Sequence, residues 1–286
     1  MAKEQKAFYL DSSDVEWAQV APNKVVVATK DRAWLHHPSF AKNRFAQPMT
    51  GTGNVATTRK LLDGAIASAK RVINSNSKLL SCATLRWIWQ LASAYHLHHA
   101  TLELIEEACV GFATIGRWSL AEWAALKANE EKDFDLLILQ EIKSMGYNPQ
   151  AVVKAIVPPV TGALIDYLTR SVRDWNPIDC VGYSYTMERL AISAKKEYVQ
   201  EEIPLPLEVN ATYKLRLESS IDADIERAEE IVEEVAKLAA SERIRVAIAC
   251  YETALICLSP SIKGRISDWK LQQLLEPLKL NNKVPN

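Results

Sequence analysis

The stretch NEEKDFDLLILQEIKSMGYN, residues Asn129–Asn148, carries a clear helix signal. Its apolar residues recur at helical spacing, and Gly146 ends the pattern because glycine readily takes the left-handed conformation that follows a helix C-terminus. Asn148 followed by Pro149 is typical of a cap and the first turn of a new helix. Upstream, SLAE at Ser119–Glu122 has the spacing of a capping box. The sequence therefore predicts one helix from Ser119 to Gly146, with another directly after it.

Helical periodicity covers most of the chain after Thr57, and the predicted fold class is all-α. The other predicted helices cover about Thr58–Ile73, Lys78–Gly111, Asn148–Arg173 (broken by Pro158-Pro159), Asn176–Val199, Ala211–Leu238, Ser241–Leu258 and Ser267–Leu275. EEIPLPLEVN, residues 201–210, reads as a linker. Residues 1–56 are predicted to form an irregular N-terminal arm that packs on the bundle, with NKVVVATK as a short extended segment. Residues 57–286 are predicted to form the helical bundle domain.

The composition limits the classes of binding partner and the cellular location that we expect for this protein. The net charge is −1, so no basic excess favours nucleic acid or an anionic membrane. The most apolar run, Val246–Leu258, contains Glu252 and is too short to span a bilayer. Five cysteines without a CxxC pair argue against a disulfide framework. We therefore expect a cytoplasmic protein with neither a membrane nor a nucleic-acid partner.

Several common chemistries have no motif in this chain. It contains no GxGxxG after a strand, no phosphate loop, no GxSxG elbow and no HExxH. Candidate functional residues must therefore come from charged side chains that point into the bundle.

Two glutamates fall inside apolar stripes of the predicted helices. In the helix predicted from Ser119, the apolar stripe consists of Trp123, Leu126, Phe134 and Leu137. At about 100° per residue, Glu130 projects within about 20° of Leu137, and Asp133 lies near the other edge of that stripe, at about 40°. Glu131 and Asp135 point well away from it. Glu188 lies in the middle of a stripe formed by Val181, Tyr185, Ile192 and Val199. A buried carboxylate is costly without a partner, so each acid needs either a metal ion or a basic residue from a neighbouring helix.

A second set of acids lies in LESSIDADIERAEE, residues 217–230. Relative to the apolar Ile221, Glu218 projects about 60° away, Asp222 about 100° and Glu226 about 140°. We therefore predict that Glu218 joins Glu130 and Glu188 at one buried pocket. Asp222 is borderline, and Glu226 belongs to a solvated edge.

Two of the five histidines share a helix face with apolar residues. His96 and His99 lie on this face with Glu103 and Glu106. An inward histidine serves either as a hydrogen-bonded core residue or as an additional metal ligand, and both roles stay open here.

The order of these segments resembles the heme-oxygenase-like diiron oxidases. This superfamily includes the Chlamydia death-domain-associated protein, TenA and the PQQ-biosynthesis oxidase. The resemblance runs from about Ala33 to Leu258 and rests on NEEKDFDLLILQEIKSMGYN, on the HHPSF segment near His37 and on the spacing of the later acids. It implies a bundle of about seven helices around a metal pocket.

The resemblance also implies a ligand set. Glu130 takes the place of the first glutamate and Glu188 that of the middle one, while the series Glu218, Asp222 and Glu226 lies where the family has its late ligands. Asp133, Glu218 and Glu226 stand where the family has histidines. Imidazole suits iron, whereas sets of oxygen ligands suit Mg²⁺, Mn²⁺ or Ca²⁺.

Three functions follow from these residues. The first is a dimetal oxidase or oxygenase with two Fe or Mn ions and no heme, acting on a small apolar metabolite. Its metal ligands would be Glu130, Asp133, Glu188, Glu218 and Asp222, with His96, His99 and Glu226 as possible additions. The second is Mg²⁺-dependent chemistry on a diphosphate, with charge neutralised by Arg189, Arg216 or Arg227. The third is a metal-free binding or structural protein whose acids pair with basic residues. A small-molecule substrate and a homodimer are the expected partners.

Overall fold

The computed structural model describes residues 15–38, 49–73, 84–199, 209, 219–259 and 266–280. Three short strands come first: β1 (Glu16–Ala21), β2 (Lys24–Ala28) and β3 (Ala33–His36). The helices are α1 (Val55–Ile73), α2 (Thr84–Thr114), α3 (Trp118–Glu131), α4 (Phe134–Ser144), α5 (Pro149–Ala155), α6 (Pro159–Val172), α7 (Asp179–Val199), α8 (Ile221–Lys237), α9 (Ala240–Leu258) and α10 (Asp268–Leu275), followed by the 3₁₀ turn Glu276–Leu278. The prediction of an all-α bundle is confirmed.

The N-terminal region differs from the irregular arm predicted for residues 1–56. Its strands form an antiparallel sheet in the order β1-β2-β3. Asn23 turns the first hairpin with a φ of 58°, a left-handed conformation that asparagine tolerates. Residues 25–28 of β2 are fully buried. An all-apolar strand gives no alternating pattern, so the sequence could not show which face of it packs on the bundle.

A buried ion pair attaches the sheet to the bundle. Arg243 of α9 is 1% exposed, and its Nε lies 2.8 Å from Oε1 of Glu16 in β1. The hydroxyl of Thr58 donates to the other oxygen of Glu16 at 3.0 Å. Burial raises the pKa of Glu16, although Arg243 and Thr58 both act to lower it. The pair therefore joins β1, α1 and α9 at one buried point.

Helix α2 belongs to two hydrophobic cores. Its 31 residues span about 45 Å at 1.5 Å per residue. The half around Ile105 and Phe112 packs with the sheet and with α1, α3, α6, α7, α8 and α9. The half around Ile88 and Leu91 packs with α4, α5 and α10. The change from one core to the other falls at Tyr95–Leu97.

The single helix predicted from Ser119 to Gly146 is wrong, because the structure breaks it into α3 and α4. Asp133 takes a left-handed φ of 63° between them. The break lets α3 pack in the first core and α4 in the second, which one straight helix could not do. The capping box at Ser119 is also not formed, since α3 begins at Trp118 with no side-chain cap.

Helices α7 and α9 cross at very short distance. An added Cβ at Gly182 of α7 would lie 2.5 Å from the carbonyl oxygen of Val246 and 2.7 Å from Cβ of Ala249. Both neighbours belong to α9, and the carbonyl is backbone that cannot rotate away. Glycine at this position therefore sets the separation of the two helices.

No single described helix is long and apolar enough to cross a bilayer. Helices α5 and α6 are long and apolar enough only when they are counted together, and a bend of 79° separates them at Pro158.

The substitution Gly182→Ala is expected to lower the free energy of unfolding by about 1–3 kcal/mol, because overpacking against backbone forces the helices apart. Gly162→Ala in α6 is the matched control, since its added Cβ meets nothing within 4 Å. The Gly162→Ala substitution should raise the free energy of unfolding by up to about 1 kcal/mol, because alanine has a higher helix propensity than glycine. Urea unfolding measures both. Equal effects of the two substitutions would contradict the close crossing.

Candidate functional site

A network of charged side chains lies where α2, α3, α7 and α8 meet. We call it the charge network; its members are His98, Lys127, Glu130, Glu131, Glu188, Lys195, Asp224 and Arg227. Four of these residues are acids and three are permanent cations, with His98 as the eighth. Each acid contacts at least one cation.

Lys127 of α3 is the centre of the charge network. Its Nζ lies 2.6 Å from Oε1 of Glu188 and 2.9 Å from Oε1 of Glu131, with its side chain only 13% exposed. Burial acts to lower the pKa of Lys127, but the two carboxylates outweigh it and the pKa is raised. The ammonium is therefore a fixed positive charge between α3 and α7.

Arg227 of α8 is the second cation. Its Nε lies 3.4 Å from Oε1 of Glu188 and 3.5 Å from Oε2 of Glu130. Its Nη2 also contacts a carboxylate oxygen of Asp224. Burial acts to lower the pKa of Arg227, but the carboxylates of Glu188 and Glu130 outweigh this effect, and the pKa is raised. Burial raises the pKa of Glu130 although Lys127 and Arg227 oppose this.

His98 and Glu131 form one end of the charge network. Nδ1 of His98 contacts Oε2 of Glu131, and the His98 ring lies 4.2 Å from the ring of Phe134, centroid to centroid. Burial acts to raise the pKa of Glu131, but the bond to His98 and the charge of Lys127 outweigh it and lower the pKa to about 2. Glu131 is therefore ionised at neutral pH.

Asp224 and Lys195 form the other end. Asp224 is 2% exposed, at the start of α8, and contacts both Nζ of Lys195 and Arg227. Lys195 also donates to the hydroxyl of Ser220 at 2.7 Å. The charge network thus ties the N-terminal end of α8 to the C-terminal half of α7.

The structure brings together some of the sequence-predicted site residues and separates others. Glu130 and Glu188 share Arg227 as a counterion, and Glu188 is 7% exposed, in agreement with its place in an apolar stripe. Asp133, Asp222 and Glu226 are exposed and contact no member of the charge network in the described residues. Glu218 and Arg216 lie outside the described residues.

Neither histidine proposed as an additional ligand joins the charge network. Nε2 of His96 lies 2.9 Å and 3.0 Å from the carbonyl oxygens of Val153 and Ile156 at the end of α5. Nδ1 of His99 lies 3.0 Å from Oδ2 of Asp135 at the start of α4. These contacts attach α2 to its neighbours.

The apolar stripe predicted for the helix from Ser119 is wrong at Leu126 and Phe134, although Trp123 is buried as predicted. Leu126 is 61% exposed and Phe134 37%, while Glu131, expected to point away, is 9% exposed. The buried face of α3 carries Leu120 and Trp123 as well as Ala121, Ala124 and Ala128. The buried face therefore does not run through Leu126, and Glu130 is correspondingly 39% exposed.

Sequence reasoning missed five members of the charge network, namely His98, Lys127, Glu131, Lys195 and Asp224. A usable signal existed for Asp224, which precedes Ala228, Ile231 and Val235 by four, seven and eleven residues, the spacing of one buried face. Lys127 follows Trp123 by four residues in the same way. A charged residue inside such a series is a candidate for burial.

The charge network as arranged does not fit a metal ion. A metal bound by Glu131 and Glu188 would have to occupy the space of the Lys127 ammonium. In the part of the chain that the structure describes, no group of three or more His, Cys, Asp or Glu residues is arranged to hold a metal. The ammonium of Lys127 occupies the position between Glu131 and Glu188 that a metal ion would take.

A cleft of about 170 Å³ lies between α2 and α3, open to solvent. Its lining is Glu106, Cys109, Ala125, Ala128, Asn129 and Lys132. Ligand pockets usually measure about 300–1,000 Å³, so this cleft is small for a metabolite.

The low pKa of Glu131 predicts a specific acid sensitivity. A carboxylate with a folded pKa of about 2, against the usual 4.5, stabilises the fold fully above about pH 4.5 and loses that stabilisation as the pH falls toward 2. The loss should be on the order of 3 kcal/mol. Glu131→Gln should be less stable at pH 7 and should lose less on acidification. Urea unfolding at pH 7, 4 and 2.5 measures this, with half-exposed Glu130→Gln as the control. Parallel pH profiles for wild type and Glu131→Gln would contradict the assignment.

Comparison with known proteins supports the fold. The chain matches no protein-family model and no curated protein. Among solved structures it is similar to a domain of unknown function with a heme oxygenase-like fold from Shewanella denitrificans. The TM-score is 0.54 at 22% identity, and the similarity covers 74% of this chain and 92% of that domain. At this identity the likeness extends to the fold alone. The chain has a heme oxygenase-like fold.

Proposed function

We propose that this chain is a metal-free binding or structural protein of the heme oxygenase-like fold and not an oxidase. The observation that carries the proposal is the position of the Lys127 ammonium, 2.6 Å and 2.9 Å from carboxylates of α7 and α3.

The charges of the network support this proposal. Four carboxylates face three permanent cations, so little negative charge is left to attract a divalent ion. The raised pKa values of Lys127 and Arg227 keep both charged at neutral pH. A metal ion would have to displace Lys127 into an apolar interior or into water, and breaking a buried pair is costly.

A dimetal oxidase is the second candidate, favoured by the convergence of Glu130, Glu131, Glu188 and Asp224 from three helices. Carboxylate-rich dimetal sites in helical bundles have a comparable number of acids. For this candidate, Lys127 would have to leave its place between Glu131 and Glu188. The Mg²⁺-dependent alternative has less support, since Arg189 is paired with Asp63.

Metal content separates the two candidates. The full chain, purified without chelators, should contain iron, manganese and magnesium only in amounts well below one equivalent, as measured by plasma mass spectrometry. Its thermal midpoint should not change with added Mn²⁺. One or two equivalents of iron or manganese, lost in Glu188→Gln, would overturn the proposal and favour the oxidase.

The converse experiment removes the internal cation. In Lys127→Ala, the carboxylates of Glu130, Glu131 and Glu188 lose their shared partner, so stability should fall by about 3–5 kcal/mol. Added Mn²⁺ should then raise the thermal midpoint of this variant, because a divalent ion can replace the lost charge. Exposed Lys132→Ala should behave like wild type. A Mn²⁺ response in wild type equal to that of Lys127→Ala would contradict the proposed role of Lys127.

A further inference from the structure

We draw no further inference here: the strongest candidate, the solvent-open cleft between α2 and α3, places a lone cysteine, Cys109, beside the exposed side chains of Glu106 and Lys132, and none of the residues that line it in the described part of the chain is a buried polar group that would indicate a ligand.

Discussion

The bundle depends on pairing a buried ammonium. Lys127 lies in a region from which most water is excluded, and an unpaired charge there would cost several kcal/mol. Its two carboxylates come from different helices, Glu131 from α3 and Glu188 from α7. Both helices must therefore keep the rotation and the height that bring these oxygens to one point. Apolar packing alone would tolerate small rotations that this contact does not.

The same principle recurs where other elements meet. Asp63 of α1 accepts from Arg189 and from the hydroxyl of Tyr185, both in α7, at 2.9 Å. Arg243 of α9 meets Glu16 of β1 in the same way at the sheet. In each case the acid and the base stand on different elements. Such contacts contribute modest net stability, but they distinguish the native arrangement from others with similar apolar burial.

The sequence predicts the helical body well, because caps and periodicity are local signals. Asn148 forms the expected cap, accepting from the amide of Ala151 at 3.1 Å, and Glu188 is buried as its neighbours indicate. The burial of Glu131 in place of Glu130 was missed because the predicted stripe continued through Phe134 and Leu137. Both residues lie beyond the break at Asp133, which separates α3 in one core from α4 in the other. Tertiary packing of this kind has no local signature.

The sequence does not reveal the N-terminal sheet or the cations that pair with buried Glu188, for related reasons. A strand buried on both faces, such as β2, shows no alternation by which it could be recognised. The partners of Glu188 come from α3 and α8, at sequence separations of 61 residues for Lys127 and 39 for Arg227. A single sequence shows that an acid is buried, but it does not show which distant cation neutralises it.

The division into two cores has a consequence for how the protein opens. Helices α4, α5 and α10 pack around one half of α2, while the other half belongs to the larger core. The smaller core can therefore lose its order as a cooperative unit of its own, at a free energy below that of global unfolding. In such a partly opened state, the half of α2 around Phe112 would keep its protection from hydrogen exchange. The half around Ile88 would lose it. One continuous helix would then show two levels of protection along its length, with the change near His96.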